Sequence, residues 1–184
     1  MRHTISVLVE NKFGVLARVA GLFSGRGYNI ESLTVGPTHH RTISKMTIVI
    51  TGDDTVLEQI EKQLNKLVDV LKVTDLTGSQ FVGRELMLLK VRTTREGRSE
   101  IVQLVDVFKA SIVNVQEGSL IVEVTGPSEK IDAFIDLMKP FGIIELARTG
   151  KVALARSSDP TEMLEPAASF PEPNAAAASD VTDP

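Results

Sequence analysis

The sequence has no cysteine and no tryptophan among its 184 residues, and only 4% of its residues are aromatic. Without cysteine, the chain has no disulfide, no thiolate metal ligand and no cysteine nucleophile. The few aromatic side chains offer little surface on which nucleic-acid bases could stack, and a net charge of −4 gives no general attraction to phosphate groups. These deficits disfavour a nucleic-acid-binding protein.

Long apolar runs are also absent. The N-terminal segment is broken by Glu10 and Asn11, and it lacks both the apolar core and the small-residue cleavage site of a signal peptide. No stretch approaches the roughly 18 to 20 apolar residues that span a bilayer. We therefore expect a soluble, cytoplasmic protein.

The first part of the chain carries the pattern of a small α+β domain in the order βαββαβ. Apolar runs predict strands at 4–10, 28–36, 42–51 and 69–76. A helix beginning at Gly14 presents an apolar stripe of Leu16, Val19, Ala20 and Phe23. Asp53 or Asp54 caps a second helix with a stripe of Leu57, Ile60, Leu64 and Leu67. Right-handed crossovers place both helices on one sheet face, so the other face needs a partner.

The same order of elements repeats after Arg84. Strands are predicted at 85–92, 111–116, 119–125 and 143–155. One helix begins near Gly97 or Arg98, and another follows the Gly126-Pro127-Ser128 sequence. The fold class is therefore α+β, with two ferredoxin-like βαββαβ domains.

The predicted domain organisation is a first domain at 1–77, a linker at 78–83, a second domain at 84–156 and a tail at 157–184. The tail is rich in proline, alanine, serine and acidic residues. It has too few apolar side chains to offset the entropy of ordering, and we expect it to be disordered.

The start of the first helix is the most informative position in the first domain. Gly14 follows a loop of Asn11, Lys12 and Phe13, and it has no Cβ to block the approach of a ligand to the backbone. The unpaired N–H groups of a first helical turn and the helix dipole attract anions, which suits the α-carboxylate of a free amino acid. A tight turn between strand and helix explains an isolated glycine equally simply.

The sequence VLVENKFGVLARVAGLFSGRGYNIESLTVGPT, at 7–38, resembles the start of the acetolactate synthase (acetohydroxyacid synthase) small-subunit family. The similarity continues at 44–47, 57–64, 66–70, 84–88 and 147–150, and so covers nearly everything before Ser157. The resemblance implies a regulatory subunit with an N-terminal ACT domain, which binds an effector and dimerises, and a smaller ferredoxin-like C-terminal domain.

In that family the large subunit carries thiamine diphosphate, Mg²⁺ and FAD, and it condenses pyruvate with pyruvate or 2-oxobutyrate. The small subunit raises this activity and confers feedback inhibition by valine. The resemblance therefore implies that this chain is not an enzyme, holds no cofactor of its own, and has the large subunit, a second copy of itself and valine as partners.

The resemblance also implies an effector site shared between paired ACT domains. The matching positions are Asn11, Gly14, Val15 and Leu16 from one chain, and Asn29, Ile30 and Thr34 from its neighbour. Backbone N–H groups near Gly14 could hold the effector's carboxylate, and the side-chain oxygens of Asn11 and Asn29 could accept from its ammonium group. Turn chemistry is the simpler explanation for either asparagine taken alone.

Other functions have weaker support. His39 and His40 are adjacent in a predicted surface loop and lack further ligands at metal-binding spacing, so no metal site is expected. The same loop, 37–44, could contact the large subunit. No P-loop, G-x-S-x-G or H-E-x-x-H motif occurs. The main alternative to a regulatory subunit is a stand-alone ACT-type sensor that acts on another protein. A ferredoxin-like RNA-binding protein is a third hypothesis.

Overall fold

Nine strands and four α-helices form along residues 1–95 and 97–156, the part of the chain that the computed structural model describes. The strands are β1 (Arg2–Glu10), β2 (Ile30–Pro37), β3 (Ile43–Thr51), β4 (Val70–Asp75), β5 (Phe81–Arg92), β6 (Ser111–Val115), β7 (Ser119–Gly126), β8 (Ile143–Arg148) and β9 (Val152–Ala155). The helices are α1 (Val15–Ser24), α2 (Asp54–Leu64), α3 (Gly97–Val107) and α4 (Ser128–Met138), and a 3₁₀ turn (Lys139–Phe141) follows α4.

The first domain is an antiparallel sheet in the order β2-β3-β1-β4, here called sheet 1, with α1 and α2 packed on one face. Alternate residues of β1 point into this core, because side chains along a strand alternate between its faces. The buried core residues are Ile5, Val7, Val9, Val15, Val19, Phe23, Met46, Ile48, Ile50, Leu57, Ile60 and Leu64. The predicted ferredoxin-like arrangement is confirmed.

The second domain repeats this architecture with a sheet in the order β6-β7-β5-β8, here called sheet 2. Met87, Leu89 and Val91 of β5 are fully buried beneath α3 and α4. The rings of Phe108 and Phe134 meet edge to face, with their centroids 5.2 Å apart. The second ferredoxin-like domain is also confirmed.

The predicted stripe of α1 was wrong at Leu16, whose surface is 43% exposed. Gly14 is the N-cap and the helix begins at Val15, so the buried positions are Val15, Val19 and Phe23 at four-residue spacing. Leu16 lies one residue further round the helix and faces solvent. This displacement places an exposed apolar side chain next to the helix N-terminus.

The single strand predicted at 143–155 was also wrong. The chain forms two strands, β8 and β9, because residues 149–151 leave sheet 2 at Gly150, where φ is +83°. Strand β9 then pairs with the first four residues of β5, Phe81–Arg84, to form what we call the β5–β9 ribbon. Strand β5 therefore starts inside the predicted linker, and the predicted disordered tail lies outside the described residues.

The β5–β9 ribbon covers the second face of sheet 1, the face that we expected to need a partner. Ala153 is 1% exposed, and its N–H donates to Thr47 Oγ1 over 3.3 Å. Thr4 and Ser6, which alternate with the core residues of β1, are buried as well. Within the described residues, no helix combines the length and the apolarity required to cross a membrane.

Candidate functional site

Gly14 caps α1 in a left-handed conformation, with φ +82° and ψ −8°. Such a conformation is costly for residues that have a Cβ, so glycine is required here for geometric reasons. No side chain caps the helix at Gly14, and the described part of the chain supplies no acceptor to the N–H groups of Leu16 and Ala17. The helix therefore begins with exposed donors that can bind an anion.

Arg18 lies over this helix N-terminus, and the sequence analysis missed it. Its Nη1 is 3.3 Å from the position that a Cβ on Gly14 would occupy. Its Nη2 forms an ion pair with Asp69 Oδ2 at 2.7 Å, which holds the guanidinium in place. The available signal was spacing, since residues four apart on a helix are neighbours. Because Asp69 balances its charge, Arg18 contributes guanidinium N–H donors beside the positive end of the helix dipole and not a net charge.

Asn11 occupies the loop that leads to Gly14. Its Nδ2 donates to the carbonyl of Arg41 over 2.8 Å, and its N–H donates to the carbonyl of Thr42 over 2.7 Å. These bonds orient the side-chain amide, and Oδ1 is then the atom that can accept from a ligand.

The rest of this end of α1 is apolar and open to solvent. Phe13 is fully exposed and Leu16 is half-exposed, whereas the Val15 side chain lies in the core. Val15 can therefore contribute only its backbone to a ligand site. Four of the predicted residues, Asn11, Gly14, Val15 and Leu16, thus lie together at a helix N-terminus that offers exposed N–H donors, one guanidinium and an apolar border.

The other predicted residues lie elsewhere. Asn29 is exposed at the far end of α1, and Ile30 is half-buried against the core. A helix of ten residues is about 15 Å long, so Asn29 cannot reach Gly14 within one chain. Thr34 faces the second domain, where its hydroxyl donates to the carbonyl of Lys151 over 2.8 Å. One chain therefore presents the two halves of the predicted site at separate places.

Strand β2, which follows Asn29, is an edge strand of sheet 1. Among the described residues, nothing pairs with its outer edge, and Val35 on this strand is 48% exposed. An exposed edge strand is a template for pairing with another chain. This edge, close to Asn29, is therefore open to pairing with another strand.

The remaining candidates from the sequence have structural positions. The rings of His39 and His40 lie 4.0 Å apart in the turn between β2 and β3. Residues 1–95 and 97–156 contain no cluster of three or more potential metal ligands. Arg98, one of the two residues at which α3 was predicted to begin, donates to the carbonyls of Gln116 and Glu117 over 2.8 and 3.0 Å, which ties the helix to the turn before β7.

A second charged cluster, also missed by sequence analysis, joins β5, β8 and α4. Glu85 is 4% exposed and accepts hydrogen bonds from Ser128 and Arg148. Burial acts to raise the pKa of Glu85, but the Ser128 and Arg148 bonds outweigh it, and the pKa lies below its ordinary value. Arg148 also pairs with Asp132 at 2.8 Å.

This cluster borders a cleft of about 430 Å³ between the two domains. The first domain lines the cleft with Arg2 and Glu31, which form an ion pair at 2.7 Å. On each side of the cleft, the charged groups are therefore already paired with neighbours on the same side. We assign the cluster a structural role.

Comparison with known proteins identifies the domain that carries the site. A family described as "AHAS small subunit-like ACT domain" matches residues 5–72, and one described as "Small subunit of acetolactate synthase" matches residues 84–157. A probable acetolactate synthase small subunit from Archaeoglobus fulgidus is 60% identical over 158 residues, which cover 86% of this chain and 99% of the relative. The chain belongs to the family of acetolactate synthase small subunits.

Other members of this family are similar to this chain in sequence and in structure. The acetolactate synthase small subunit of Aquifex aeolicus is 52% identical over 156 residues, covering 84% of this chain and 81% of the relative. A crystal structure of the small subunit from Thermotoga maritima superposes with a TM-score of 0.79 at 44% identity, covering 86% of this chain and 99% of that chain. The candidate site lies wholly within the ACT match, and the β5–β9 ribbon lies wholly beyond it.

Proposed function

We propose that this chain is the regulatory subunit of acetolactate synthase. It binds the catalytic large subunit, raises the rate of acetolactate formation and confers feedback inhibition by valine. Thiamine diphosphate, Mg²⁺ and FAD belong to the large subunit in this proposal, and the complex works in the cytoplasm.

The proposal that the chain binds valine is supported mainly by the exposed N–H groups at the N-terminus of α1. The left-handed Gly14 leaves the N–H groups of Leu16 and Ala17 exposed, and Arg18, paired with Asp69, places guanidinium donors beside them. A carboxylate fits this arrangement, since helix N-termini bind anions through both hydrogen bonds and the dipole. The exposed side chain of Leu16 offers apolar contact to a branched aliphatic group.

A second copy of the chain completes the site in this proposal. Asn29 and Ile30 cannot reach Gly14 in their own chain, but they lie next to the free edge of β2. Pairing two chains through this edge supplies Asn29 of one chain to Gly14 of the other. A two-fold interface uses the same surface on both copies and so forms two equivalent sites.

The decisive experiment measures acetolactate formation by the cognate large subunit, with and without this purified chain and with and without valine. We expect the chain to stimulate the rate and valine to reverse the stimulation. Alanine at the same concentration is the matched control, because it shares the α-carboxylate and ammonium groups but lacks the branched side chain.

The alternative functions give different results in the same assay. A stand-alone sensor would bind valine in calorimetry yet leave the rate unchanged in all conditions. Stimulation without any effect of valine would support the subunit role and contradict the proposed effector.

A further inference from the structure

The two domains meet along a polar seam, which we define as the hydroxyls of Ser32, Thr34 and Thr47 on sheet 1 and the backbone of residues 151–153 opposite them. Ser32 Oγ accepts from the N–H of Lys151 over 3.1 Å, and Thr34 Oγ1 donates to the carbonyl of Lys151 over 2.8 Å. Thr47 Oγ1 accepts from the N–H of Ala153 over 3.3 Å. Lys151 therefore has both of its backbone polar groups bonded to β2.

The seam lies on the face of sheet 1 opposite α1. In the register of β2 with β3, Leu33 lies opposite the core residue Ile48, whereas Thr34 lies opposite Thr47 beneath the ribbon. Thr34 thus reaches the second domain and not the helix face on which Gly14 lies. This placement gives Thr34 a role other than direct contact with an effector at the N-terminus of α1.

Residues 149–151 fit closely against β2. Gly150 has φ +83°, and a Cβ added there would collide with Ser32 Oγ and approach Thr34 Cγ2 to 3.4 Å. Because no space separates the two segments, a displacement of β2 must either move residues 149–151 or break the Lys151 bonds. The geometry therefore couples the position of β2 to the second domain.

We propose that this seam carries the regulatory signal from the effector site to the second domain. Asn29 immediately precedes β2, so closure of the site around an effector displaces the strand that holds Ser32 and Thr34. Those hydroxyls pass the displacement to Lys151 and the β5–β9 ribbon. This inference rests on the proposed function, for which it supplies the route of regulation.

The chemistry of the seam suits a reversible signal. Hydrogen bonds depend strongly on distance and angle, so a small shift of β2 breaks or forms them. Their net contribution is modest, and interfaces of this polar kind between domains permit relative movement. A ligand can shift the equilibrium between two domain arrangements only if it binds them with different affinities. In this proposal the two arrangements differ in the hydroxyl bonds of the seam.

The test uses the full-length chain reconstituted with its large subunit. Thr34→Val removes the hydroxyl and retains the shape of the side chain, while Thr34→Ser retains the hydroxyl. For each, we compare the ratio of rates without and with saturating valine, and the calorimetric Kd of the free chain for valine. We expect Thr34→Val to reduce this ratio about fivefold, because one hydrogen bond typically contributes enough free energy for a change of that size. The Kd for valine should change less than about threefold.

Two further variants separate the seam from its surroundings. Ser32→Ala removes the acceptor of the Lys151 N–H, and we expect it to reproduce the loss of inhibition. Thr93→Val is the matched control, because Thr93 is also a threonine with a bonded hydroxyl, which donates to the carbonyl of the neighbouring Thr94 over 3.0 Å in the second domain and not to the seam. Thr34→Ser and Thr93→Val should both be inhibited like the wild type.

The outcomes distinguish this inference from the proposed function. If the wild-type complex neither binds valine nor is inhibited by it, the proposed function fails, and the inference fails with it. If the wild type responds and Thr34→Val and Ser32→Ala respond fully, only the seam is refuted. A tenfold weaker Kd in Thr34→Val, restored in Thr34→Ser, would show that Thr34 contacts the effector itself and would also refute the seam.

Discussion

At the residue scale, the candidate site depends on one backbone conformation and one charge. Gly14 turns the chain into α1 with a positive φ, and Arg18 folds back beside it. The glycine leaves the first-turn N–H groups accessible, while the guanidinium, held by Asp69, adds further N–H donors beside them. A substitution at residue 14 therefore changes strain and charge together, and two variants are needed to separate them.

We predict that Gly14→Asp abolishes valine binding, whereas Gly14→Ala weakens it only partly. Both variants incur the left-handed strain of a residue with a Cβ, about 1 to 2 kcal/mol. Only aspartate places a carboxylate beside Arg18, where it occupies the position of the effector's own carboxylate and repels it. Calorimetric titration with valine, together with thermal unfolding of both variants, checks this. Wild-type affinity in Gly14→Asp would rule out the site.

A second prediction concerns Glu85. Removing one partner of a buried ion pair costs about 3 to 5 kcal/mol, and because Arg148 keeps 29% exposure, we expect Glu85→Gln to cost about 2 kcal/mol. The carboxyl of Glu85 has a depressed pKa, so its stabilisation is complete above the ordinary value of 4.5 and is lost as the pH falls through the folded-state pKa. The stability difference between wild type and variant should therefore shrink below pH 4.5.

Urea unfolding of wild type and variant at neutral pH and at several acidic values measures this difference. Glu145→Gln is the control, because Glu145 is an exposed carboxylate on the neighbouring strand β8, and its loss should cost under about 0.5 kcal/mol. A constant gap between wild type and Glu85→Gln across the acidic range would contradict the assigned linkage.

At the element scale, the sequence predicted every helix and most strands, because each carries its own periodicity. It failed where one element changes role along its length. The apolar residues of 143–155 are interrupted at Arg148-Thr149-Gly150-Lys151, but such a break does not by itself show that the strand after it leaves sheet 2 and crosses to sheet 1. Arg18 was missed for a different reason: its four-residue spacing from Gly14 was visible, but the direction of its side chain is fixed by Asp69, a residue distant in sequence.

The cap of α2 provides a prediction at this scale, since the sequence left Asp53 and Asp54 as alternatives. Asp53 is the N-cap, and its side chain accepts from the N–H of Val56 over 2.8 Å. We expect Asp53→Ala to lower the free energy of unfolding by about 1 kcal/mol, whereas Asp54→Ala, which removes only a charge from the first turn, costs about 0.3 to 0.5 kcal/mol. Denaturant unfolding of both variants tests the order, and a larger cost for Asp54→Ala would contradict the assignment.

At the scale of the whole molecule, contacts distant in sequence determine what the two domains do together. Thr47 and Ala153 are 106 positions apart, and their hydrogen bond belongs to no repeating pattern. The sequence indicated that the second face of sheet 1 needs a partner but could not identify the ribbon. Likewise, it supplied both halves of the proposed effector site, but only the fold shows that α1 holds them about 15 Å apart.

The separation of these halves leads to a complementation test of the shared site. Gly14→Asp damages one half and Asn29→Ala the other, so each variant alone should lose valine binding. In a mixed dimer, one site receives both substitutions and the other receives neither, because a two-fold interface pairs Gly14 of each chain with Asn29 of its partner. Coexpression with random pairing should therefore restore binding at about a quarter of the sites. The stoichiometry of valine binding in calorimetry measures this fraction, and Gly14→Asp expressed alone provides the control. If the mixed sample binds no valine while the wild-type dimer does, then each site is built from one chain and the α1 geometry described here must rearrange on binding.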